Sequence, residues 1–349
     1  MTPPTLADSF RRLIAATGPI SLAQFMGEAN ARYYAGKDPL GRDGDFITAP
    51  EVSQMFGELI GLWLADLWRR AGGSGPVHYV ELGPGRGTLA ADALRAMARC
   101  GLAPQVHLVE GSPQLRAVQR AALPQALFHD DLAQLPDDGP MLLVANEFLD
   151  ALPVRQLVLT DAGWREMMVG SGEAGRFVPM AGDRPMDTAV PEGRRAAEVG
   201  TVIETCPAAA AVVTEAARRL AHQGGAALFI DYGHAAPRAG STLQAVRAHR
   251  KVDPFADPGA ADLTAHVDFA TLAEVAQSHG ARWLGTVPQG DWLRALGIEA
   301  RVDALAAAAP HQREALTCAR DRLTGDDQMG KLFKVMGLAA PGWPAGGGF

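Results

Sequence analysis

Val77-His78-Tyr79-Val80-Glu81-Leu82-Gly83-Pro84-Gly85-Arg86-Gly87-Thr88-Leu89 is the stretch whose reading decides the fold. Val77 to Leu82 reads as a buried strand, Gly83 to Gly87 as a turn, and Thr88 onward as a helix. Glycine lacks a Cβ, so this turn can bend sharply and let a ligand lie against the main chain. A strand, glycine turn and helix in this order mark a nucleotide-cofactor loop of a doubly wound α/β sheet. The surrounding residues narrow the ligand. A dinucleotide fingerprint runs G-x-G-x-x-G/A and seats a pyrophosphate on the helix N-terminus, whereas here Thr88 holds the third place and Gly87 comes one residue early. Glu81, at the carboxyl end of the strand, would repel a pyrophosphate. It suits a ligand that carries an ammonium and a sulfonium. The pattern therefore favours S-adenosylmethionine over NAD, with Glu81, Gly83, Gly85 and Gly87 at the cofactor.

Later strands extend the site. Val106 to Val109 is a short β-rich run ending in Glu110, about 20 to 25 residues past the glycines, where a ribose-binding carboxylate belongs. NAD sites share that acid, so Glu110 supports an adenosine ribose without separating the two cofactors. Ala126 to Leu132 reads as a third strand with Asp130 and Asp131 placed to face an adenine; the competing reading is a solvated loop or a helix N-cap. Met141 to Ala145 is uninterruptedly apolar, as in a central parallel strand buried on both faces. It delivers Asn146-Glu147-Phe148-Leu149-Asp150-Ala151-Leu152-Pro153-Val154 to the sheet edge where open α/β folds bind ligands. Glu147 and Asp150 would share a face on a helical turn and act together on a substrate; as an alternative, they cap a helix through its dipole. A fifth strand, Ala226 to Ile230, ends in Asp231-Tyr232-Gly233-His234, where His234 is either a proton acceptor or a structural hydrogen-bonder.

Residues 1–75 read as a helical cap or lid, and 76–349 as the cofactor domain with insertions near 155–200 and 235–265. Ser21 with Gln24 and Thr48 with Glu51 match capping boxes, and Thr48 is also a cofactor candidate. Val52, Met55, Phe56, Leu59, Ile60, Trp63, Leu64 and Leu67 form the apolar stripe of one helix. Gly41 to Thr48 reads equally as a lid or as a solvent loop. Gln156 to Leu159 and Trp164 to Val169 alternate like a hairpin. Ser241 to Pro258, with Arg247, His249, Arg250 and Lys251, reads as a solvated loop. Asp262 to Phe269 leads into a helix. Trp283 to Val287 and Leu332 to Met336 are strands that close the sheet as an antiparallel pair. Residues 338–349, rich in Gly, Pro and Ala, are expected to be mobile.

A chain of 349 residues with 48% hydrophobic content can bury a large core. Its net charge of −7 argues against nucleic acid, whose binders present basic surfaces. The spacing of Cys100, Cys206 and Cys318 matches neither a metal nor a disulfide framework. The sequence shows no apolar run of membrane-spanning length and no secretory signal, so membrane insertion is not expected and the expected location is cytoplasmic.

Tyr33-Tyr34, Gly44 to Glu51, Glu81 to Thr88, Asn146 to Val154, Asp231 to His234, Asp262 to Phe269 and Lys331 to Met336 together resemble the MidA-like family of class I methyltransferases, over nearly the whole chain. The resemblance implies a Rossmann-like α/β domain, S-adenosylmethionine as cofactor and methylation of arginine on a protein client such as a respiratory complex I subunit. A homodimer is expected. The chemistry is compatible: carboxylates can pair with two nitrogens of a guanidinium and leave the third aimed at a methyl group. Glu147 and Asp150, with Asn146 and His234, are the candidates. An NAD-dependent oxidoreductase and a non-catalytic complex I assembly chaperone are the rival readings.

Overall fold

The computed structural model describes residues 4–36, 48–247 and 250–349. Two compact units divide the chain: Leu40–Leu149, Ala211–Ala236 and Val267–Phe349 form the larger, and Met1–Pro39, Asp150–Ala210 and Pro237–His266 the smaller. The expected cap of residues 1–75 is shared between them, since the helices Leu6–Thr17 and Leu22–Gly36 belong to the smaller unit and Gln54–Arg70 to the larger. The expected lid, Gly41 to Ile47, lies outside the described residues, as does His249.

The larger unit is built on a mostly parallel sheet. Across it the strands run Arg282–Pro288, Phe333–Ala339, Gly225–His234, Met141–Asn146, His78–Leu82, Gln105–Val109 and Leu127–His129. Phe333–Ala339 runs antiparallel to both of its neighbours, Arg282–Pro288 and Gly225–His234, so the first two strands close the sheet as an antiparallel pair, as their sequence suggested, and the remaining neighbours pair in parallel. Strand order reverses between His78–Leu82 and Met141–Asn146, so a ligand crevice is expected at the carboxyl ends of these two strands. Both are buried throughout, which explains apolar runs without alternation.

The apolar stripe from Val52 to Leu67 is split rather than one helix. Ser53 is extended (φ −164°, ψ 143°), and its Oγ accepts from Met55 N–H at 3.2 Å, restarting the chain as Gln54–Arg70. That helix packs against Thr88–Arg99 through Gly57 and Gly61, where a Cβ would come within 2.7 Å of Asp92 and 2.3 Å of the Ala93 carbonyl. Close helix approach needs small residues at such crossings.

A row of imidazoles crosses three neighbouring strands. Asp138 accepts from His78 Nε2 (2.9 Å), His78 Nδ1 meets His107 Nε2 (3.1 Å), and His107 Nδ1 meets His129 Nε2 (2.9 Å). With the carboxylate at one end, each neutral ring carries its proton on Nε2 and accepts at Nδ1.

Residues 340–349 are packed, against the expectation of mobility. Trp63 Nε1 donates to the Gly347 carbonyl (3.0 Å), Arg70 donates to Ala345 (2.8 Å), and the Phe349 ring lies 6.0 Å from Trp63 and 6.3 Å from Trp292. A Cβ on Gly346 or Gly348 would come within 2.3 or 2.6 Å of those indoles. The glycines there permit close approach to aromatic faces.

In the smaller unit the expected hairpin is present as Arg155–Thr160 and Gly163–Ser171, joined by Phe177–Pro185, Val202–Thr205 and Ile20–Ser21 in one sheet. In its core Phe10 stacks on Phe25, and Phe177 meets Phe10 edge-on and Phe25 at a tilt. The stretch read as a solvated loop instead carries the strands Gln244–Arg247 and Arg250–Val252, the first of which pairs with the second on one side and with Asp262–Thr264 on the other. Runs of three or four residues are too short for an alternation to be visible in sequence.

Candidate cofactor and active site

Gly83, Gly85 and Gly87 have φ of +60°, +54° and +82°, a left-handed turn that other residues rarely adopt. Gly83 N–H donates to the Val109 carbonyl and Gly87 N–H to Pro84, fixing the loop over the carboxyl end of the sheet. Phe148, from the Asn146 to Val154 segment, packs so near Gly83 that a Cβ there would lie 2.8 Å from its ring. Gly83 and Phe148, 65 residues apart in sequence, are thereby brought together at the point of strand reversal.

Glu81 is 3% exposed, and Tyr79 Oη donates to its Oε2 at 2.6 Å. Burial pushes its pKa up to about 8, although the tyrosine hydrogen bond acts the other way. A buried carboxyl in that state ionises readily when a cation arrives beside it.

Glu110 closes the other side. Its Oε1 accepts from Ser112 N–H (2.7 Å) and its Oε2 from Gln119 Nε2 (3.2 Å), while the same Gln119 nitrogen donates to the Gly85 carbonyl (2.7 Å). Gln119 is fully buried, and its Oε1 has no partner among the described residues. A glutamine bridging the glycine loop to Glu110 was not anticipated from sequence. Its one signal was an amide on the apolar side of the helix Pro113–Ala122.

Asp130 and Asp131 lie on the surface. Asp130 is paired with Arg116 at 2.6 Å, and Asp131 accepts from Ala133 N–H at 2.8 Å, capping a short turn. The capping alternative therefore describes Asp131, and ion pairing describes Asp130.

On the opposite side of the crevice, Glu147 has φ of +50°. This backbone kink excludes the helical turn expected to align Glu147 with Asp150. Glu147 Oε1 accepts from Ala49 N–H (3.0 Å) and from Asn146 Nδ2 (3.1 Å). Asn146 is 9% exposed, and its Oδ1 is a second buried acceptor without a partner among the described residues. Asp231 Oδ2 accepts from Leu149 N–H at 3.0 Å and steadies the loop. Thr48 does not form the expected capping box, because its side chain makes no cap hydrogen bond. Glu51 turns instead to Thr88, whose hydroxyl donates to it at 2.6 Å. The Thr48 turn is thus fastened at both ends: to the helix that follows the glycines, and to Glu147.

His234 is not brought to this group. Ile230 is level with Asn146 in the sheet, so His234, four residues on, stands about 13 Å further along the strand. Its Nδ1 donates to the Ala236 carbonyl at 2.8 Å, the structural alternative.

The residues present fit an adenosine-bearing cation: a left-handed glycine cradle, the Glu110 carboxylate held beside it by two hydrogen bonds, a buried carboxyl poised to ionise and, among the described residues, two buried acceptors without a partner. Comparison with known proteins agrees. A family model described as S-adenosyl-L-methionine-dependent methyltransferase matches residues 59–287. The chain is 36% identical to the Protein arginine methyltransferase NDUFAF7 homolog, mitochondrial, of Drosophila melanogaster, over 96% of this chain and 84% of that protein. It is 37% identical to the zebrafish (Danio rerio) Protein arginine methyltransferase NDUFAF7, mitochondrial, over 93% of this chain and 84% of that one. A Burkholderia thailandensis protein crystallised with S-adenosyl-homocysteine superposes with a TM-score of 0.85 at 32% identity, covering 96% of this chain and 91% of that one. These findings leave no place for the NAD reading. They also overturn the cytoplasmic expectation, because the curated relatives are named as mitochondrial proteins. With its site built for that cofactor and the match spanning most of its length, the chain belongs to the S-adenosyl-L-methionine-dependent methyltransferase family.

Proposed function

We propose that the protein methylates arginine on a client protein, with a core subunit of respiratory complex I as the first client to test. The observation that carries this reading is the juxtaposition, at the strand reversal, of the Glu81 and glycine-loop side with the Asn146–Glu147 side, joined by Phe148 on Gly83. The names of the relatives support arginine as the acceptor and a protein as the substrate. S-adenosylmethionine, when bound, supplies an electrophilic methyl on its sulfonium. Glu81 pairs with the cofactor's positive charge, Glu110 holds its ribose, and the glycine loop lets it lie against the backbone.

Glu147 and Asp150 are the substrate-side carboxylates in this reading. Pairing with a guanidinium concentrates its charge on the nitrogens they hold and leaves another nitrogen to attack; as the N–C bond formed, the methyl's bond to sulfur would break with its electron pair returning to sulfur as a neutral thioether, and the proton lost from nitrogen would pass to a carboxylate. Glu147→Gln and Asp150→Asn should each lower turnover by about 100-fold, the scale of a misplaced reacting group, while S-adenosylmethionine affinity stays within a few-fold. Mass spectrometry of clients from a deletion strain and its parent checks the acceptor. Methyl groups found only on lysine, glutamine or carboxylates would overturn arginine, and unchanged turnover in both amide variants would remove these two residues. Sedimentation of the purified chain checks the proposed homodimer.

A further inference from the structure

Within the smaller unit, three segments meet around the end of the strand Asp262–Thr264. Asn30 organises them. Its Nδ2 donates to the carbonyls of Ala151 (2.9 Å) and Leu263 (2.7 Å), and its Oδ1 accepts from Leu263 N–H (3.0 Å). Ala265 N–H donates to the Asp150 carbonyl at 3.0 Å, so Asp150 is fastened beside the same strand end. Leu263 joins the apolar core. The pleat then sets Asp262 and Thr264 together on the other face. On that face Tyr34 Oη donates to Asp262 Oδ1 at 3.0 Å.

Asp150 and Asp262 are 6% and 5% exposed. Thr264 is 3% exposed, and its Oγ1 has no hydrogen-bond partner among the described residues. Apolar packing would not call for an orphaned hydroxyl on the face it shares with Asp262.

We infer that Asp150, Asp262, Tyr34 and Thr264 form a receptor for a guanidinium group, the substrate's arginine head; this rests on the proposed arginine reading. A guanidinium presents five N–H donors in a rigid plane. The carboxylates of Asp150 and Asp262 attract its positive charge, and the hydroxyl oxygens of Tyr34 and Thr264 accept from further N–H groups on the nitrogens that do not react. A lysine ammonium, with three donors around one atom, cannot reach acceptors spread along the strand and across to the helix Leu22–Gly36. Asp262 and Tyr34 thereby select the acceptor residue.

The test uses the full chain and two small probes, N-acetyl-arginine amide and its neutral isostere N-acetyl-citrulline amide, followed by ligand-observed NMR. The arginine probe is expected to bind at least about tenfold more tightly than the citrulline probe. Asp262→Asn should weaken it by about tenfold or more, the scale of a lost charged hydrogen bond, and Tyr34→Phe and Thr264→Val by several-fold. S-adenosyl-homocysteine affinity should stay within about twofold in each, which also reports that the variant is folded; should Asp262→Asn fail that control, the other two decide. Equal binding of the two probes, no binding of the arginine probe at millimolar concentration, or unchanged binding in the folded variants would overturn the receptor. Failure of the arginine reading looks different: the wild type holds the arginine probe through Asp262, yet no methyl-arginine is found on any client.

Discussion

In the place proposed for it beside the cofactor, a carboxyl buried like Glu81 makes binding a proton-coupled event. Its pKa of about 8 lies above neutrality because burial penalises the charged form, and a cationic ligand reverses that penalty. S-adenosylmethionine binding near pH 7 should release close to one proton, and affinity should rise with pH by up to tenfold per unit until about pH 8. Calorimetry in two buffers of different ionisation enthalpy measures the proton directly, and Glu81→Gln should abolish both effects. A pH-independent affinity in the wild type would remove Glu81 from the cofactor. Its place was legible in sequence, because a lone acid ending an apolar run next to glycines has no packing reason to be there. The environments of Glu147 and Asp130 were not. A left-handed backbone at Glu147 and an Arg116 partner for Asp130 depend on the fold and leave no mark on spacing.

Single elements act here through what ties them together. The glycine loop was readable from its residues, whereas Gln119, which links Gly85 to Glu110 from the next helix, belongs to no motif. Gln119→Leu should lower S-adenosyl-homocysteine affinity by about tenfold, the worth of a hydrogen bond to a charged group plus one to a carbonyl, with little change in melting temperature. If affinity holds, the bridge does not shape the loop. The segment 340–349 makes a different demand. Glycine and proline content suggested mobility, yet its glycines lie on the faces of Trp63 and Trp292. Composition cannot separate a chain that is loose from one that is flush against a ring. Phe349→Ala should cost about 2 kcal/mol for a half-buried aromatic, and Gly346→Ala a similar amount because the backbone must move off Trp63; urea unfolding measures both. Losses below a few tenths of a kcal/mol would return the segment to the status of a tail.

At the scale of the whole molecule, Glu81 and the imidazole row set opposite pH dependences. Burial, with His78 and His129 as neighbours, holds the His107 pKa at about 4 against an ordinary 6.5, so the unfolded chain binds more protons and stability falls as pH drops from 6.5 towards 4. Burial, followed by the neighbouring Arg116, lowers the His129 pKa too and deepens that loss. Glu81 works the other way. Its folded pKa of about 8 exceeds the ordinary 4.5, so its contribution is full below 4.5 and is lost as pH rises to 8. The effects of Glu81 and His107 offset each other between 4.5 and 6.5. Above 6.5 Glu81 acts alone, and the ligand-free protein should weaken by up to about 1.4 kcal/mol per pH unit. Denaturant midpoints measured from pH 5 to 8 check this, with Glu81→Gln expected to flatten the alkaline side.

The row from Asp138 to His129 has one more consequence. Every N–H in it points the same way, towards the carboxylate, so the rings carry a common polarity through three strands. Nitrogen nuclei joined by an N–H···N bond are spin-coupled across it. Nitrogen-15 placed only in histidine would therefore turn this half of the sheet into its own strain gauge, its couplings fading ring by ring as the strands part.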